Sequence, residues 1–111
     1  MGDVSVVKDV AARAAVDDGG TLDPRVTALR AAVARCRREL AGYRGNLPDR
    51  HIAEDELSAL AAAAAAGVPD VPRLRRGLLV IAGALGSVSA LAGALTEVRR
   101  AIELFGTPRP E

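Results

Sequence analysis

Residues 77–96 read GLLVIAGALGSVSALAGALT, from Gly77 to Thr96, with no charged side chain between Arg76 and Glu97. What covers this stretch decides the fold. About 20 uncharged, mostly apolar residues are long enough to cross a bilayer as one helix. Arg73, Arg75 and Arg76 lie before it and Arg99 and Arg100 after it, so flanking charge orients it only weakly. The competing reading is a central bundle helix, apolar all round because neighbouring helices cover every side.

Three features favour the bundle. Leu78, Ile81, Leu85, Val88 and Leu95 advance in steps of three and four, with Ala92 filling the gap. A second seam runs Leu91, Val98, Ile102, Phe105 and continues past the uncharged window. Upstream, Val26, Leu29, Val33, Cys36, Leu40 and Tyr43 form a further apolar seam, which must be buried somewhere. Small residues also recur every fourth position at Ala82, Gly86, Ala90 and Ala94, with Ser89 and Gly93 as a shorter pair. Stacked small residues let another helix backbone approach closely, in membranes and in Ala-rich bundles alike.

Working outward, the punctuation predicts three helices. The first is capped by Asp23 with Pro24 at its first position, and it ends near Gly42 to Gly45. The second follows Asn46-Leu47-Pro48-Asp49, capped by Asn46 or Asp49, with Glu54, Asp55 and Glu56 near its positive end. It passes through Ile52, Leu57, Leu60 and Ala61 to Ala66 and stops at Gly67-Val68-Pro69. The third starts at Asp70 with Pro72 in its first turn, runs to about Phe105 and ends at Gly106. Unbroken, it is roughly 50 Å long; a kink at Gly83 or Gly86 would fold it into two. The expected fold is all-α: a three-helix bundle, or a helical hairpin packed on one long, Ala/Gly-rich C-terminal helix. Residues 1–22 read as a leader, 23–106 as one domain and 107–111 as a tail. In the leader, Val6, Val7, Val10 and Val16 with the intervening alanines make a short amphipathic pattern. A helix of that length is marginal in water unless it docks.

Composition narrows the function. Of 111 residues, 50% are hydrophobic but only 2% aromatic. A β-sandwich or barrel needs aromatic and β-branched alternation, and base-stacking nucleic-acid folds need exposed rings. The net charge of +1 gives no bias toward nucleic acid or anionic lipid. The Arg35/Arg37/Arg38, Arg73/Arg75/Arg76 and Arg99/Arg100 clusters are diluted by Glu39, Glu97 and Glu103, and read as solvated helix faces. Exposure of Arg73 to Arg76 beside an apolar groove would instead favour an anionic partner.

Chemistry-bearing constellations are sparse. Cys36 lies within the first seam, where a thiol behaves as a small hydrophobe; exposed among its arginine neighbours it would be activated. One cysteine makes no internal disulfide. His51, Glu54 and Asp55 have one-sided helical spacing, but one His without a second ligand set reads as a charged helix start rather than a metal site. Gly83, Gly86 and Gly93 follow no strand and no Gly-Lys-Ser or Gly-Lys-Thr occurs, so no phosphate loop is expected. No cofactor and no catalytic set are expected. Charged residues throughout Met1 to Leu22 leave no room for a secretory apolar core, and Ser5 is misplaced for a myristoylation motif, so the expected location is cytoplasmic.

The segments Asp23 to Leu40 (DPRVTALRAAVARCRREL), Ile52 to Leu60 (IAEDELSAL), Val71 to Leu91 (VPRLRRGLLVIAGALGSVSAL) and Val98 to Gly106 (VRRAIELFG) resemble a family of small, uncharacterised actinobacterial proteins of the Streptomyces type. The resemblance implies no activity and no catalytic residues. Lys8 as the lone lysine beside abundant Arg and Ala is what a GC-rich genome encodes.

Ala contributes little area, so a monomer gains only moderate stability at ~25 cal/mol per Å² of buried apolar surface. A long third helix would also leave apolar sides bare beside shorter partners. Pairing with a second copy, most simply as a two-fold dimer, relieves both problems. The expected function is therefore a non-enzymatic helical interaction module, an adaptor or small subunit binding a protein partner or itself. The expected structural and association residues are Val26, Leu29, Val33, Leu40, Ala82, Gly86, Ala90 and Ala94. The alternative is a small membrane protein that places residues 77–96 in lipid.

Overall fold

The computed structural model describes residues 23–106. The expected leader and tail, residues 1–22 and 107–111, lie outside the described residues. Helices α1 (Pro24–Gly42), α2 (Arg50–Ala65), α3 (Val71–Leu85) and α4 (Ala92–Gly106) follow one another, with a single 3₁₀ turn at Ser89–Leu91 before α4. No strand occurs among the described residues. The all-α expectation holds.

The expected starts are found where the sequence places them. Asp23 accepts the Arg25 backbone N–H at 2.9 Å, with Pro24 at the first helical position. Asp70 accepts the Arg73 backbone N–H at 3.2 Å. Asp49 rather than Asn46 stands at the cap position of α2, but its side chain makes no capping bond. Gly67, at φ 133°, is the residue after the α2 cap and takes the backbone region that favours glycine.

The end of α1 is stabilised by a different device from the expected glycine turn. Arg50, at the start of α2, donates from Nη1 to the Leu40 carbonyl at 2.7 Å and from Nη2 to the Tyr43 carbonyl at 2.5 Å. One planar cation thus gives the Leu40 carbonyl, which also accepts the Tyr43 backbone N–H, a second partner and holds the Tyr43 carbonyl just past the helix end. Arg50→Ala is expected to lower stability by about 1.5–3 kcal/mol, the worth of hydrogen bonds to a charged donor. Lysine there should restore only part of it, since it lacks the planar fork. Urea unfolding of the two variants checks both statements; an unchanged midpoint for the alanine variant would show that Arg50 does not hold the helix end.

The third expected helix is corrected. It is not one rod of residues 71–105 but two helices, α3 and α4, divided at Gly86 rather than Gly83. Gly86 still donates to the Ala82 carbonyl at 2.8 Å, but Val88 is extended (φ −99°, ψ 107°) and the chain turns before Ser89. The cause is coverage. A single long helix would project bare apolar sides past α1 and α2, whereas a hairpin lets the two halves cover each other. Residues 77–96 are therefore split between the end of α3, the turn and the start of α4. No helix among the described residues is long and apolar enough to cross a membrane, which removes the single-crossing reading of this segment.

Each helix packs on its chain neighbour, and α4 closes the ring against α1. The start of each helix lies beside the end of its neighbour. Arg50 reaches the end of α1, the Arg75 guanidinium lies against Gly106, and the Arg25 guanidinium sits over the Phe105 ring at 5.0 Å. The result is an antiparallel four-helix bundle. Its core comprises Leu, Val, Ile, Ala and Cys36 side chains, with no polar or charged residue buried among the described ones. Arg73 pairs with Glu56 across α2 and α3 at 2.5 Å, over Gly77, whose missing side chain leaves the room. Arg35 bridges Glu39 and Glu97, linking α1 to α4; these partly exposed pairs add little stability.

Candidate functional site: the two faces flanking α4

The core takes the apolar seams, so a candidate surface must come from what the core leaves out. Val26, Leu29, Val33 and Leu40 are all buried in α1. They hold the bundle together and present nothing to a partner. The small-residue stripe is also dispersed: Ala82 is half-buried on α3, Gly86 and Ala90 are exposed in the connection, and Ala94 is buried on α4. These four positions do not line one groove, because the chain reverses between them.

Two faces flank α4 instead. Between α3 and α4 runs a groove of about 360 Å³ lined by Leu78, Leu79, Ile102, Arg75, Arg99 and Glu103. Leu79 is 73% exposed. Arg75 and Arg99 are exposed at this groove, whereas Arg73 is engaged with Glu56. On the other flank, a shallower depression of about 260 Å³ is lined by Ala28, Ala31, Ala101 and Leu104 with Glu97 and Arg100. Leu104 is 49% exposed. Both leucines carry apolar area that would gain free energy on burial, about 1.5–3 kcal/mol for a fully exposed side chain.

Sequence periodicity missed Leu79 as a surface residue. The signal was present: Leu78, Leu79, Val80 and Ile81 are consecutive, and at 100° per residue four such neighbours cannot all face one side of a helix. Arg75 and Arg99 belong to two of the arginine clusters, but only the hairpin brings them to one groove.

The remaining candidates are placed as follows. Cys36 is fully buried, and burial, with the Glu39 charge adding to it and Arg35 opposing, pushes its thiol up to about 11. At neutral pH the sulfur is protonated and out of reach of a substrate. His51, Glu54 and Asp55 are exposed on α2, and no group of three or more His, Cys, Asp or Glu among the described residues could hold a metal ion. Asp23 is held below the usual carboxylate range by its side-chain hydrogen bond with Arg25 and by the Arg25 backbone N–H. That pairing serves the helix start. The α3–α4 groove offers apolar area, two guanidinium groups and a carboxylate, a set suited to holding a segment of chain.

The molecule is thus a small antiparallel helical bundle with apolar faces on both sides of its last helix. The chain belongs to a family of unknown function, DUF5955, whose model matches residues 18–106. No curated protein and no solved structure matches the chain.

Proposed function

We propose that this protein is a non-enzymatic interaction module, an adaptor or small subunit, that works through the surfaces beside α4 and associates with a second copy. The carrying observation is the placement of Leu79 and Leu104, 73% and 49% exposed, on opposite flanks of α4, whose Ala94, Leu95, Val98, Ala101 and Ile102 are sealed in the core. Leu104 lies among the small side chains Ala28, Ala31 and Ala101. A surface that smooth lets a partner helix approach closely, and a two-fold axis would bring the same surface of a second copy onto it.

A single buried cysteine is what a reducing compartment permits, and it supports a cytoplasmic location. The Arg-rich, Lys-poor composition supports an actinobacterial source.

Sedimentation equilibrium of the full chain tests the reading. The expected mass rises with concentration toward twice that of one chain, and Leu104→Asp returns it to one. A single-chain mass across the whole accessible range would overturn self-association through this face.

A further inference from the structure

The α3–α4 groove carries a second inference, which rests on the reading that the faces beside α4 are docking surfaces. We propose that this groove holds one helix of a protein partner, an acidic amphipathic helix with two carboxylates two turns apart and leucine-sized side chains between them.

The first argument is shape. The groove lies between two antiparallel helices, α3 and α4, and has a volume of about 360 Å³. A third helix laid along such a valley sets its side chains between those of the two walls. Ile102 is buried at the floor, Leu78 is half-buried, and Leu79 stands open at 73% exposure. An apolar side chain entering from above gives Leu79 the cover that the bundle does not provide.

The second argument is the placement of charge. Arg75 and Arg99 are exposed on the two walls, and neither takes part in an ion pair among the described residues. The Arg75 guanidinium lies against Gly106, and Arg99 stands two helical turns before Gly106 on α4. The two cations are therefore offset by about 10 Å along the groove, at 1.5 Å per residue. Between those levels lie Leu79, one turn past Arg75, and Ile102, one turn past Arg99. On a docked helix, residues about seven apart have the same separation and share a face with those three and four positions along. The motif Glu-Ala-Ala-Leu-Leu-Ala-Ala-Glu thus sets a carboxylate at each guanidinium and both leucines over Leu79.

The third argument is exclusion. Glu103 is exposed on the α4 wall between those two levels and puts a negative charge inside the positive pair. A ligand with unbroken negative charge, such as a nucleic acid or an anionic lipid surface, meets Glu103 as well as the arginines, whereas spaced carboxylates step over it. Among the described residues no aromatic ring lines the groove for a base to stack on. A second copy of the groove would bring the same excess of arginine.

A fluorescently labelled peptide of about 18 residues tests this, with that motif at its centre and alanine and glutamine elsewhere, long enough to form helix in water. Anisotropy with the full chain should show saturable binding. Glutamine in place of both glutamates should weaken it at least about tenfold, and so should the Arg75→Glu, Arg99→Glu double variant, since either removes both charge-assisted pairs. Arg30→Glu with Arg38→Glu, the same charge change at exposed positions on α1, should leave the affinity within about twofold. Leu79→Asp should abolish binding, and Leu104→Asp, on the other flank, should leave it unchanged.

No saturable binding, or equal affinity for the acidic peptide and its glutamine twin, would overturn the proposal. So would binding that survives Leu79→Asp. Arg75- and Arg99-dependent binding to phosphatidylserine vesicles, with no affinity for the peptide, would assign the groove to a membrane surface and end the proposal as well. A doubled mass in sedimentation without peptide binding ends this proposal and leaves self-association standing. A single-chain mass with peptide binding intact does the reverse.

Discussion

Leu29→Ala is expected to remove about 2–5 kcal/mol of unfolding free energy, the range for truncating a sealed core leucine. Leu29 is fully buried on α1, the helix that packs on both α2 and α4. The core around it has no aromatic residue among its buried members. Tyr43 and Phe105 reach it only from the edge. Five of its nineteen buried members are alanines, whose methyl groups cannot extend to fill a hole. A domain of this size has only about 5–15 kcal/mol in total, so one methyl-rich side chain decides much of it. Urea unfolding should show a lower midpoint at an unchanged slope. Leu79→Ala serves as the comparison, because a side chain 73% exposed leaves no sealed cavity and should change stability by less than about 0.5 kcal/mol. Equal losses from the two substitutions would mean that burial does not separate these positions, and the assignment of core and docking face would fail together.

The helix ends were legible because they are local chemistry. Asp23-Pro24, Gly67-Val68-Pro69 and Asp70 act within one turn of the chain, and the structure uses each of them. The division of residues 71–105 was not legible in the same way, because the apolar spacing runs through it. Leu85 to Val88 is three residues and Val88 to Ala92 four, the steps of an unbroken helix. The first seam itself crosses the division: Leu78, Ile81 and Leu85 belong to α3, Val88 lies in the turn, and Leu95 belongs to α4 with Val98, Ile102 and Phe105 of the second seam. Steps of three and four therefore fit one long helix and two shorter ones equally. Choosing between them requires knowing how long the neighbours are, which is tertiary information. The groove suffered from the same gap, since its arginines come from clusters that only the hairpin brings together.

The division at Gly86 also has a signature in the sign of a mutational effect. Gly83 and Gly86 both sit in a helical sequence pattern, and alanine is the better helix former by about 0.8–1.0 kcal/mol. On a continuous helix, both Gly→Ala changes should stabilise. In the bundle they separate. At Gly83, inside α3 and exposed, an added Cβ meets nothing within 4 Å. Gly83→Ala should therefore gain about 0.5–1 kcal/mol by restricting the unfolded chain and favouring the helix. Gly86 has φ −63° and ψ −22°, a conformation open to any residue, so backbone preference gives no objection there. Space does: a Cβ at Gly86 would overlap the Ala82 carbonyl oxygen where the helix tightens into its turn. A carbonyl in the main chain cannot swing aside as a side chain can. The turn must open, and with it the contact of α3 on α4, at a cost of about 1–3 kcal/mol for an overpacked site. Thermal unfolding should accordingly move upward for Gly83→Ala and downward for Gly86→Ala, by about 4–8 °C per kcal/mol for a domain of this length. Two upward shifts would restore the single long helix, and with it the question of what covers residues 77–96.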